Sequence, residues 1–389
     1  MRGQLGRRSL VVASVAALVA AGAVPAGATA PAATDRRLQV AVDDLHGLGI
    51  TGVQGLTRVD GITVRARSGV GDLDRGTPVP LDGYFRMGSN TKTFVAVVVL
   101  QLVGEGRLSL DDSVDRWLPG VVAGNGNDGR RITVRHLLQH TSGIYNYTRD
   151  IAALGSQEGY LAHRFDHYDA ADLVALAVRH EPGFAPGTSW DYSNTNYILA
   201  GMLIERVTGR SWATEVRTRI LQPLGLRHTS APGDRPFLPA PHAKGYQQWV
   251  PGGPLTDTTM FNPTVADAAG NLVTTPTDLA RFWQALQRGQ LLKAGQMAQL
   301  HETVLAETFQ DFIPGARYGL GIMFVPNRCG GYWGHGGDVP GMSTANGVSP
   351  DGDRVAVLSL ATQLADERAA LAVQGRASRL MDDVICDRP

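Results

Sequence analysis

The chain has 389 residues, of which 43% are hydrophobic and 19% are charged, a composition typical of a folded protein with a large core. This length allows one large domain or two domains that pack closely together. Because the formal net charge is zero, nothing in the composition indicates a nucleic acid or an acidic membrane surface as a partner.

The first 28 residues have the pattern of a secretory signal peptide. Three arginines precede a run rich in Ala, Val and Leu at residues 9–24, and Ala26-Gly27-Ala28 offers a small-x-small cleavage site. Residues 28–30 also fit, but Pro31 would then follow the cut, so cleavage after Ala28 is preferred. A retained membrane anchor is the alternative, and it is disfavoured because the apolar run is short. The sequence predicts a secreted protein without a stable membrane anchor and a catalytic domain at residues 29–389.

Two cysteines, Cys329 and Cys386, lie late in the chain. In an exported protein an even number of cysteines favours a disulfide, and two buried free thiols are the alternative. A disulfide between Cys329 and Cys386 is therefore predicted.

The order of the predicted elements indicates an α+β fold. The N-terminal part contains a helix, three short β-prone runs and an apolar helix, expected at residues 35–48, 52–56, 61–68, 84–87 and 94–103. Helical pieces and long loops follow over residues 110–262. The C-terminal part contains a helix, four strands and a closing helix, expected at residues 276–287, 318–325, 331–336, 342–348, 355–361 and 365–384. The pattern predicts an antiparallel sheet flanked by helices, formed by about residues 35–105 and 267–389, with a mostly helical insertion at about residues 106–266.

Ser89 and Lys92 stand three residues apart at the start of the apolar helix, so their side chains share one face of its first turn. A serine hydroxyl needs a neighbouring base to act as a nucleophile at neutral pH. A lysine amine can be that base if burial lowers its pKa. The helix N-terminus adds backbone N–H groups where an oxyanion would develop. Because such pairs also occur by chance in solvated helices, the motif needs support from elsewhere in the chain.

Two further stretches can supply a serine site. Tyr192 and Asn194 precede a helix, and a tyrosine hydroxyl near a lysine can shuttle a proton while an asparagine amide can hold a carbonyl. The alternative is an ordinary helix start with Asn194 as its N-cap. Residues 334–338, Gly-His-Gly-Gly-Asp, predict a strand along which a substrate backbone can lie, or else a plain tight turn.

Three other sequence patterns do not indicate a functional site. Residues 124–129 match G-x-G-x-x-G but follow no clear strand, so a surface turn is expected instead of a dinucleotide site. His163 and His167 have the spacing of metal ligands on a helix, but no third ligand is evident. The G-x-S-x-G motif of α/β-hydrolases is absent from the sequence. No cofactor and no metal are expected.

Taken together, the three motifs resemble those of the penicillin-recognising serine hydrolases, whose pattern is S-x-x-K, then Y-x-N, then [HK]-x-G in that order. Ser89 with Lys92, Tyr192 with Asn194, and the pair His335 and Gly337 fill this pattern. The resemblance covers essentially the whole mature chain and is greatest to soluble, secreted D-alanyl-D-alanine carboxypeptidases. It implies a β-lactamase/DD-peptidase-like fold with the active site between the sheet and the helical subdomain.

The resemblance also implies roles for individual residues. Ser89 would form the acyl-enzyme, and Lys92 and Tyr192 would relay its proton, with either of them as the base. The backbone N–H groups of Ser89 and Asp338 would form the oxyanion hole.

Further residues would bind the substrate. Asn194 would bind the substrate amide, and His335 would add polar character beside the tyrosine hydroxyl. Gly336 and Gly337 would leave room for the substrate backbone, and Thr148 would line the pocket.

The sequence departs from the carboxypeptidase pattern where a substrate carboxylate would be received. Gly336 and Asp338 replace hydroxyl residues, and Met323 or Phe324 replaces a basic one, although Arg328 is not far away in sequence. A carboxylate placed beside Asp338 would be repelled by roughly 1 kcal/mol or more. The acyl-serine mechanism is thus better supported than the substrate.

The leading hypothesis is a secreted serine hydrolase of the D-alanyl-D-alanine carboxypeptidase type that acts on peptidoglycan-like peptides. An esterase, a D-aminopeptidase or amidase, or a β-lactamase on the same scaffold is the alternative, and a non-catalytic penicillin-binding-like module is the third reading. The expected partners are small peptides, amides or esters, with β-lactams as further ligands.

Overall fold

The computed structural model of the protein describes residues 30–387, so the predicted signal peptide at residues 1–28 lies outside the described residues. Within that range, no helix has both the length and the hydropathy that crossing a bilayer would require. The described strands, in chain order, are β1 Gly52–Val59, β2 Ile62–Asp72, β3 Thr77–Pro78, β4 Phe85–Arg86, β5 Ala123–Gly124, β6 Asn127–Asp128, β7 Tyr246–Gln248, β8 Leu255–Asp257, β9 Val273–Thr274, β10 Val304–Leu305, β11 Arg317–Tyr318, β12 Met323–Val325, β13 Tyr332–Gly334, β14 Gly337–Val339, β15 Met342–Val348, β16 Arg354–Leu360 and β17 Thr362–Gln363.

The described helices surround these strands. In chain order they are α1 Ala30–Gly47, α2 Thr91–Gly104, α3 Val114–Trp117, α4 Val134–Gln139, α5 Ala152–Gly155, α6 Gln157–His163, α7 Ala170–Ala177, α8 Thr195–Thr208, α9 Trp212–Val216, α10 Gln222–Leu224, α11 Asp267–Gly270, α12 Pro276–Gln287, α13 Ala294–Leu300 and α14 Glu367–Cys386. Short 3₁₀ turns occur at Gly88–Asn90, Tyr147–Asp150, Pro263–Val265 and Glu307–Phe309, and a π turn at Arg217–Leu221.

The fold is centred on an antiparallel sheet with ten strands in the described range. Its order is β10-β11-β12-β13-β15-β16-β1-β2-β3, and β14 also pairs with β15. In the pairing of β1 with β16, Val53 lies opposite Leu360, so the two ends of the chain meet in adjacent strands. Asp60 and Gly61 join β1 to β2 with φ values of 49° and 83°, as a tight hairpin turn requires. The predicted α+β fold, with an antiparallel sheet formed from two distant parts of the chain, is confirmed.

Helices cover both faces of this sheet. The helices α1 and α14 pack on one face through a cluster that includes Leu38, Leu45, Leu380 and Met381. On the other face lies the larger core, to which α2, α8 and α12 all contribute. Helix α2 is buried nearly all round, and this burial compensates for the weak helix propensity of its five valines.

Three predicted strands differ from the structure. The run at residues 84–87 contributes only β4, which pairs with β9 outside the main sheet. The run at residues 318–325 is broken into β11 and β12 by a turn in which Gly321 has a φ of 80°. The strand predicted across His335 is also broken, because β13 ends at Gly334 and β14 begins at Gly337.

The insertion contains more β-structure than predicted. Two hairpins, β5–β6 and β7–β8, lie within it, and β7 pairs in parallel with β17. Strands of two or three residues are too short to show an alternating pattern, so they could not be read from the sequence.

Cys329 and Cys386 form a disulfide with their Cα atoms 5.5 Å apart. The bond connects the loop before β13 to the last residue of α14. The predicted disulfide is therefore present.

Candidate active site

Ser89 lies in a 3₁₀ turn at the point where the chain passes from β4 into α2. Gly88 precedes it with a φ of 51°, a conformation that a glycine adopts without strain. The Asn90 side chain holds this turn on the sheet, because its amide donates to Thr344 Oγ1 at 2.6 Å and its oxygen accepts from Asn346 Nδ2 at 2.7 Å. Ser89 itself is only partly buried, so its hydroxyl is accessible from the cleft.

Lys92 is completely buried one turn later and makes three polar contacts. Its Nζ atom lies 2.9 Å from Ser89 Oγ, 2.7 Å from Asn194 Oδ1 and 2.7 Å from the Ala269 carbonyl oxygen. The last two oxygens can only accept hydrogen bonds. A neutral amine therefore donates both of its N–H bonds to them, and its lone pair remains for the proton of the Ser89 hydroxyl.

Burial favours this neutral form. Desolvation lowers the pKa of Lys92 well below its usual value, and no carboxylate in the described range forms an ion pair with it. An opposite charge would have raised the pKa again. The structure thus places a weakly basic amine against the serine hydroxyl.

Asn194 faces Lys92 because Asn146 holds its other end. The oxygen of Asn146 accepts from the Asn194 backbone N–H at 3.1 Å and lies 3.4 Å from Asn194 Nδ2. This arrangement turns the Asn194 oxygen toward the amine. The Asn194 oxygen is thus a partner of Lys92, and Asn194 also lines the cavity, so its binding of a substrate amide stays a prediction.

Tyr192 lies next to the pair formed by Ser89 and Lys92. The Lys92 amine lies 4.9 Å from the centroid of the tyrosine ring. The phenol oxygen is buried without a well-aligned partner, but it is close enough to Ser89 for their interaction to lower its pKa. Desolvation is the larger effect and raises the pKa of Tyr192 far above its usual value. The phenol is therefore a proton donor at neutral pH.

His335 lies beside Tyr192, as the resemblance implied, and its two ring nitrogens bond to other groups. Its Nδ1 lies 2.6 Å from its neighbour's carbonyl oxygen, Gly336 O, and its Nε2 lies 2.8 Å from the hydroxyl of Tyr318. Because the carbonyl can only accept, Nδ1 carries the proton and Nε2 accepts from Tyr318. Burial lowers the pKa of His335 to about 3, so the ring is neutral. The Tyr192 and His335 rings still lie 6.2 Å apart, in one aromatic cluster.

Strand β14 lies directly against the backbone of Ser89. A Cβ atom on Gly337 would come within 2.0 Å of the Met87 carbonyl oxygen and 2.9 Å of the Ser89 nitrogen. A Cβ on Gly88 would come within 2.8 Å of the Asp338 nitrogen. Two glycines therefore allow the backbone nitrogens of Ser89 and Asp338 to approach each other, as an oxyanion hole requires.

We expect Gly337→Ala to disrupt this contact. Its Cβ would collide with backbone atoms, which cannot move aside cheaply, so a loss of about 1–3 kcal/mol of stability is expected. Differential scanning fluorimetry would measure it as a lower unfolding midpoint. Gly336→Ala is the matched control, because its Cβ would meet only Thr344 O, at 3.5 Å. Equal midpoints for the two variants would contradict the close packing of β14 on Ser89.

One cavity of about 760 Å³ contains Ser89, Tyr192 and Asn194. Its apolar wall is formed by Phe309, Phe312, Ile313, Met323 and Val325. Its polar edge is formed by Gly336, Gly337, Asp338, Ser343 and Gln363.

Thr148 does not line this cavity, contrary to the expectation from sequence. It lies inside the 3₁₀ turn that Asn146 caps, where its backbone N–H donates to Asn146 Oδ1 at 3.4 Å. The side chain that acts on the site from this turn is therefore Asn146, two residues earlier.

His140 is a second residue that sequence reasoning missed. It is fully buried, its ring centroid lies 4.2 Å from that of Tyr192, and its Nδ1 accepts from the Ser193 backbone N–H at 3.3 Å. It also lies 3.1 Å from Asn196 Nδ2, so it fixes the turn that carries Tyr192. The only signal was its position in a His-Thr-Ser-Gly run, which by itself specifies no contact.

No metal site accompanies this cluster. Within residues 30–387, no group of His, Cys, Asp and Glu side chains could hold an ion. His163 instead lies 2.8 Å from Asp166, and His167 lies 2.5 Å from Asp234.

The chain matches one protein family, and the similar proteins within the comparisons have different activities in their names. A family model described as Beta-lactamase matches residues 37–378. A solved structure of a D-stereospecific amidohydrolase from Streptomyces sp. is 40% identical, with a TM-score of 0.80, over 87% of this chain and 98% of that one.

Curated relatives match over shorter parts of their length. Penicillin-binding protein 4* of Bacillus subtilis (strain 168) is 28% identical over 292 residues, which are 71% of this chain and 60% of that protein. Esterase EstB of Burkholderia gladioli is 37% identical over 173 residues, which are 43% of each chain. The match thus spans 60% or less of these two curated relatives.

Proposed function

This chain belongs to the beta-lactamase family, and within it we propose a serine hydrolase that cleaves amides or esters of D-amino acids through an acyl-enzyme at Ser89. The observation that carries the chemistry is the buried Lys92 amine, which is held by two pure acceptors with its third contact on the Ser89 hydroxyl. Such a serine–base pair is what nucleophilic catalysis needs.

In acylation, Ser89 Oγ attacks the substrate carbonyl carbon while its proton passes to Lys92 Nζ. The carbonyl oxygen takes up the negative charge between the backbone N–H groups of Ser89 and Asp338. Tyr192 then donates its proton to the leaving nitrogen or oxygen as the scissile bond breaks, and Lys92 returns a proton to the phenol.

Deacylation repeats these steps with water as the nucleophile. Lys92 accepts a proton from the water, the tetrahedral species collapses, and Ser89 Oγ recovers its proton as the acid product leaves. In this proposal Lys92 is the base and Tyr192 the acid, which is one of the two assignments that the sequence left open.

The charge of the cavity supports the choice of substrate. No Lys or Arg in the described range lines the cavity, and Arg328 instead lies 2.6 Å from Asp387. A free substrate carboxylate, which a D-alanyl-D-alanine peptide carries, would find Asp338 and no cation. The similarity to a D-stereospecific amidohydrolase supports the D-amino acid amide as the substrate.

A substrate panel tests this proposal. D-phenylalanine amide, its L-enantiomer, a Lys-D-Ala-D-Ala peptide, a cephalosporin and a short p-nitrophenyl ester would be supplied to the wild-type enzyme, with product release followed by chromatography. We expect the D-amide to be hydrolysed at least tenfold faster than the L-amide and the peptide. Release of D-alanine without hydrolysis of the D-amide would instead favour the carboxypeptidase, and turnover of the ester alone would favour the esterase.

The predicted signal peptide implies that this reaction takes place outside the cytoplasm. N-terminal sequencing of the protein recovered from culture medium would test secretion, with Thr29 expected as the first residue.

A further inference from the structure

Asp338 is the only formally charged side chain, within residues 30–387, that lines the cavity around Ser89. Its neighbours in β14, Gly337 and Val339, are buried, while Asp338 is exposed to the cavity. Side chains alternate along a strand, so the carboxylate is on the opposite face from the backbone of Ser89 on which Gly337 packs. The only anionic side chain of the described cavity thus belongs to the residue that supplies a candidate oxyanion N–H group.

Neutral groups hold this carboxylate in place. Ser343 Oγ donates to Asp338 Oδ1 at 2.7 Å, and Gln363 Nε2 donates to the same oxygen at 3.2 Å. Oδ2 has no hydrogen-bond partner and Asp338 forms no ion pair in the described range. Desolvation within the cavity raises the pKa of Asp338, as expected for a carboxylate without a cation beside it. One oxygen is therefore oriented by the protein and the other is available to a ligand.

The Asp338 carboxylate shares one cavity with the reacting groups, because Ser89 and Tyr192 line the same space. The α-nitrogen of an amino acid lies two bonds, about 2.5 Å, from its carbonyl carbon. A substrate with its carbonyl oxygen between the N–H groups of Ser89 and Asp338 would therefore have its α-nitrogen in the cavity that the Asp338 side chain also lines.

Resting on the function proposed above, we propose that Asp338 determines specificity by binding the protonated α-amino group of the substrate, with Ser343 and Gln363 orienting its carboxylate. The enzyme is then selective for amino acid derivatives with a free amino group. A charge-assisted hydrogen bond from an ammonium to a carboxylate is among the stronger polar contacts in proteins.

The same contact fixes the handedness of the bound substrate. The carbonyl is held at Ser89, the ammonium at Asp338, and the side chain is left to the apolar wall of Phe309, Phe312 and Met323. Three different groups on one α-carbon held at three places allow only one enantiomer to present its carbonyl to the serine. An acylated amino group would remove the second of these contacts.

The test compares D-phenylalanine amide with N-acetyl-D-phenylalanine amide in the wild type and in Asp338→Asn. The quantity compared is the ratio of kcat/KM for the free amine to kcat/KM for the N-acetylated amide. We expect this ratio to be at least ten in the wild type and at least tenfold smaller in Asp338→Asn, mainly because the KM for the free amine is higher in the variant. Because the result is a ratio, a general loss of activity does not affect it. Glu158→Gln, which removes an exposed carboxylate outside the cavity lining, is the matched control and should keep the wild-type ratio.

A second measurement uses the wild type alone, in case the variant does not fold. D-Phenylalaninol carries the ammonium and should inhibit competitively, whereas N-acetyl-D-phenylalaninol should bind at least tenfold more weakly. Equal inhibition by the two alcohols, or an unchanged substrate ratio in Asp338→Asn, would overturn the inference.

The outcomes separate this inference from the proposed function. A wild type that hydrolyses both amides equally well would overturn the role of Asp338 and leave the D-amidase function intact. A wild type that cleaves only the N-acetylated amide or the D-alanyl-D-alanine peptide would overturn both.

Discussion

Replacement of Ser89 by alanine is expected to reduce hydrolysis of every accepted substrate by about 10⁴–10⁶-fold, in the range seen when a catalytic serine is removed from other hydrolases. The reason is that Ser89 is the hydroxyl in contact with the Lys92 amine, at 2.9 Å. The fold should survive, because Lys92 keeps its contacts with Asn194 and Ala269. Steady-state kinetics and labelling with a fluorescent fluorophosphonate would both measure the loss.

Ser68→Ala is a suitable control for this experiment, because Ser68 lies in β2 outside the cavity lining. It should retain both hydrolysis and labelling. Residual hydrolysis by Ser89→Ala within tenfold of the wild type, in a preparation free of other hydrolases, would contradict the role of Ser89.

Replacement of Lys92 by methionine is expected to reduce kcat/KM by about 10²–10⁴-fold, the usual contribution of a positioned general base. Methionine fills a similar volume without an amine, so the loss would report the missing base.

The pH profile of the wild type adds a second readout. Because the pKa of Lys92 is lowered, the basic form dominates above that lowered value. We therefore expect kcat/KM to increase with pH along a limb that lies well below pH 10.5.

The burial of Lys92, which favours activity, is expected to lower the stability of the folded protein. The unfolded chain binds a proton at Lys92 up to its usual pKa of 10.5, whereas the folded protein releases it at lower pH. Between these two values the unfolded state binds more protons, so the buried amine lowers stability as the pH falls below 10.5. Lys92→Met should therefore be less active but more stable at pH 7, as measured by urea unfolding. An increase of kcat/KM with pH that is centred near pH 10.5 would contradict a neutral buried amine. A Lys92→Met variant less stable than the wild type at pH 7 would also contradict it.

The three motifs were enough to predict that Ser89, Lys92 and Tyr192 lie together. Ser89 and Lys92 are adjacent because their spacing places them on one helical turn, and this is a local property of the sequence. That Tyr192 joins them could be predicted only by resemblance, since its approach depends on how α8 packs on α2. The split sheet was predicted because its central strands β1, β2, β15 and β16 are long enough to show a pattern.

The remaining contacts depend on tertiary structure that no local pattern specifies. His335 fits its motif, yet its ring bonds to Tyr318, seventeen residues earlier in a strand that the sequence merged with the next. Asn146 was noticed only as a neighbour of Thr148, because the direction of a side chain within a short turn cannot be read from residue type. The sequence indicated that Asp338 would repel a substrate carboxylate, but only the cavity lining shows that no cation in the described range faces it.

The most direct test of the account is to identify the residue that becomes acylated during turnover. The enzyme would be mixed with the methyl ester of D-phenylalanine, quenched in acid within one turnover and examined by intact mass and peptide mapping. The account predicts a mass increase of one phenylalanyl group on the peptide containing Ser89, with none in Ser89→Ala. An adduct on a different residue, or hydrolysis with no adduct at any quench time while Ser89→Ala remains active, would contradict it.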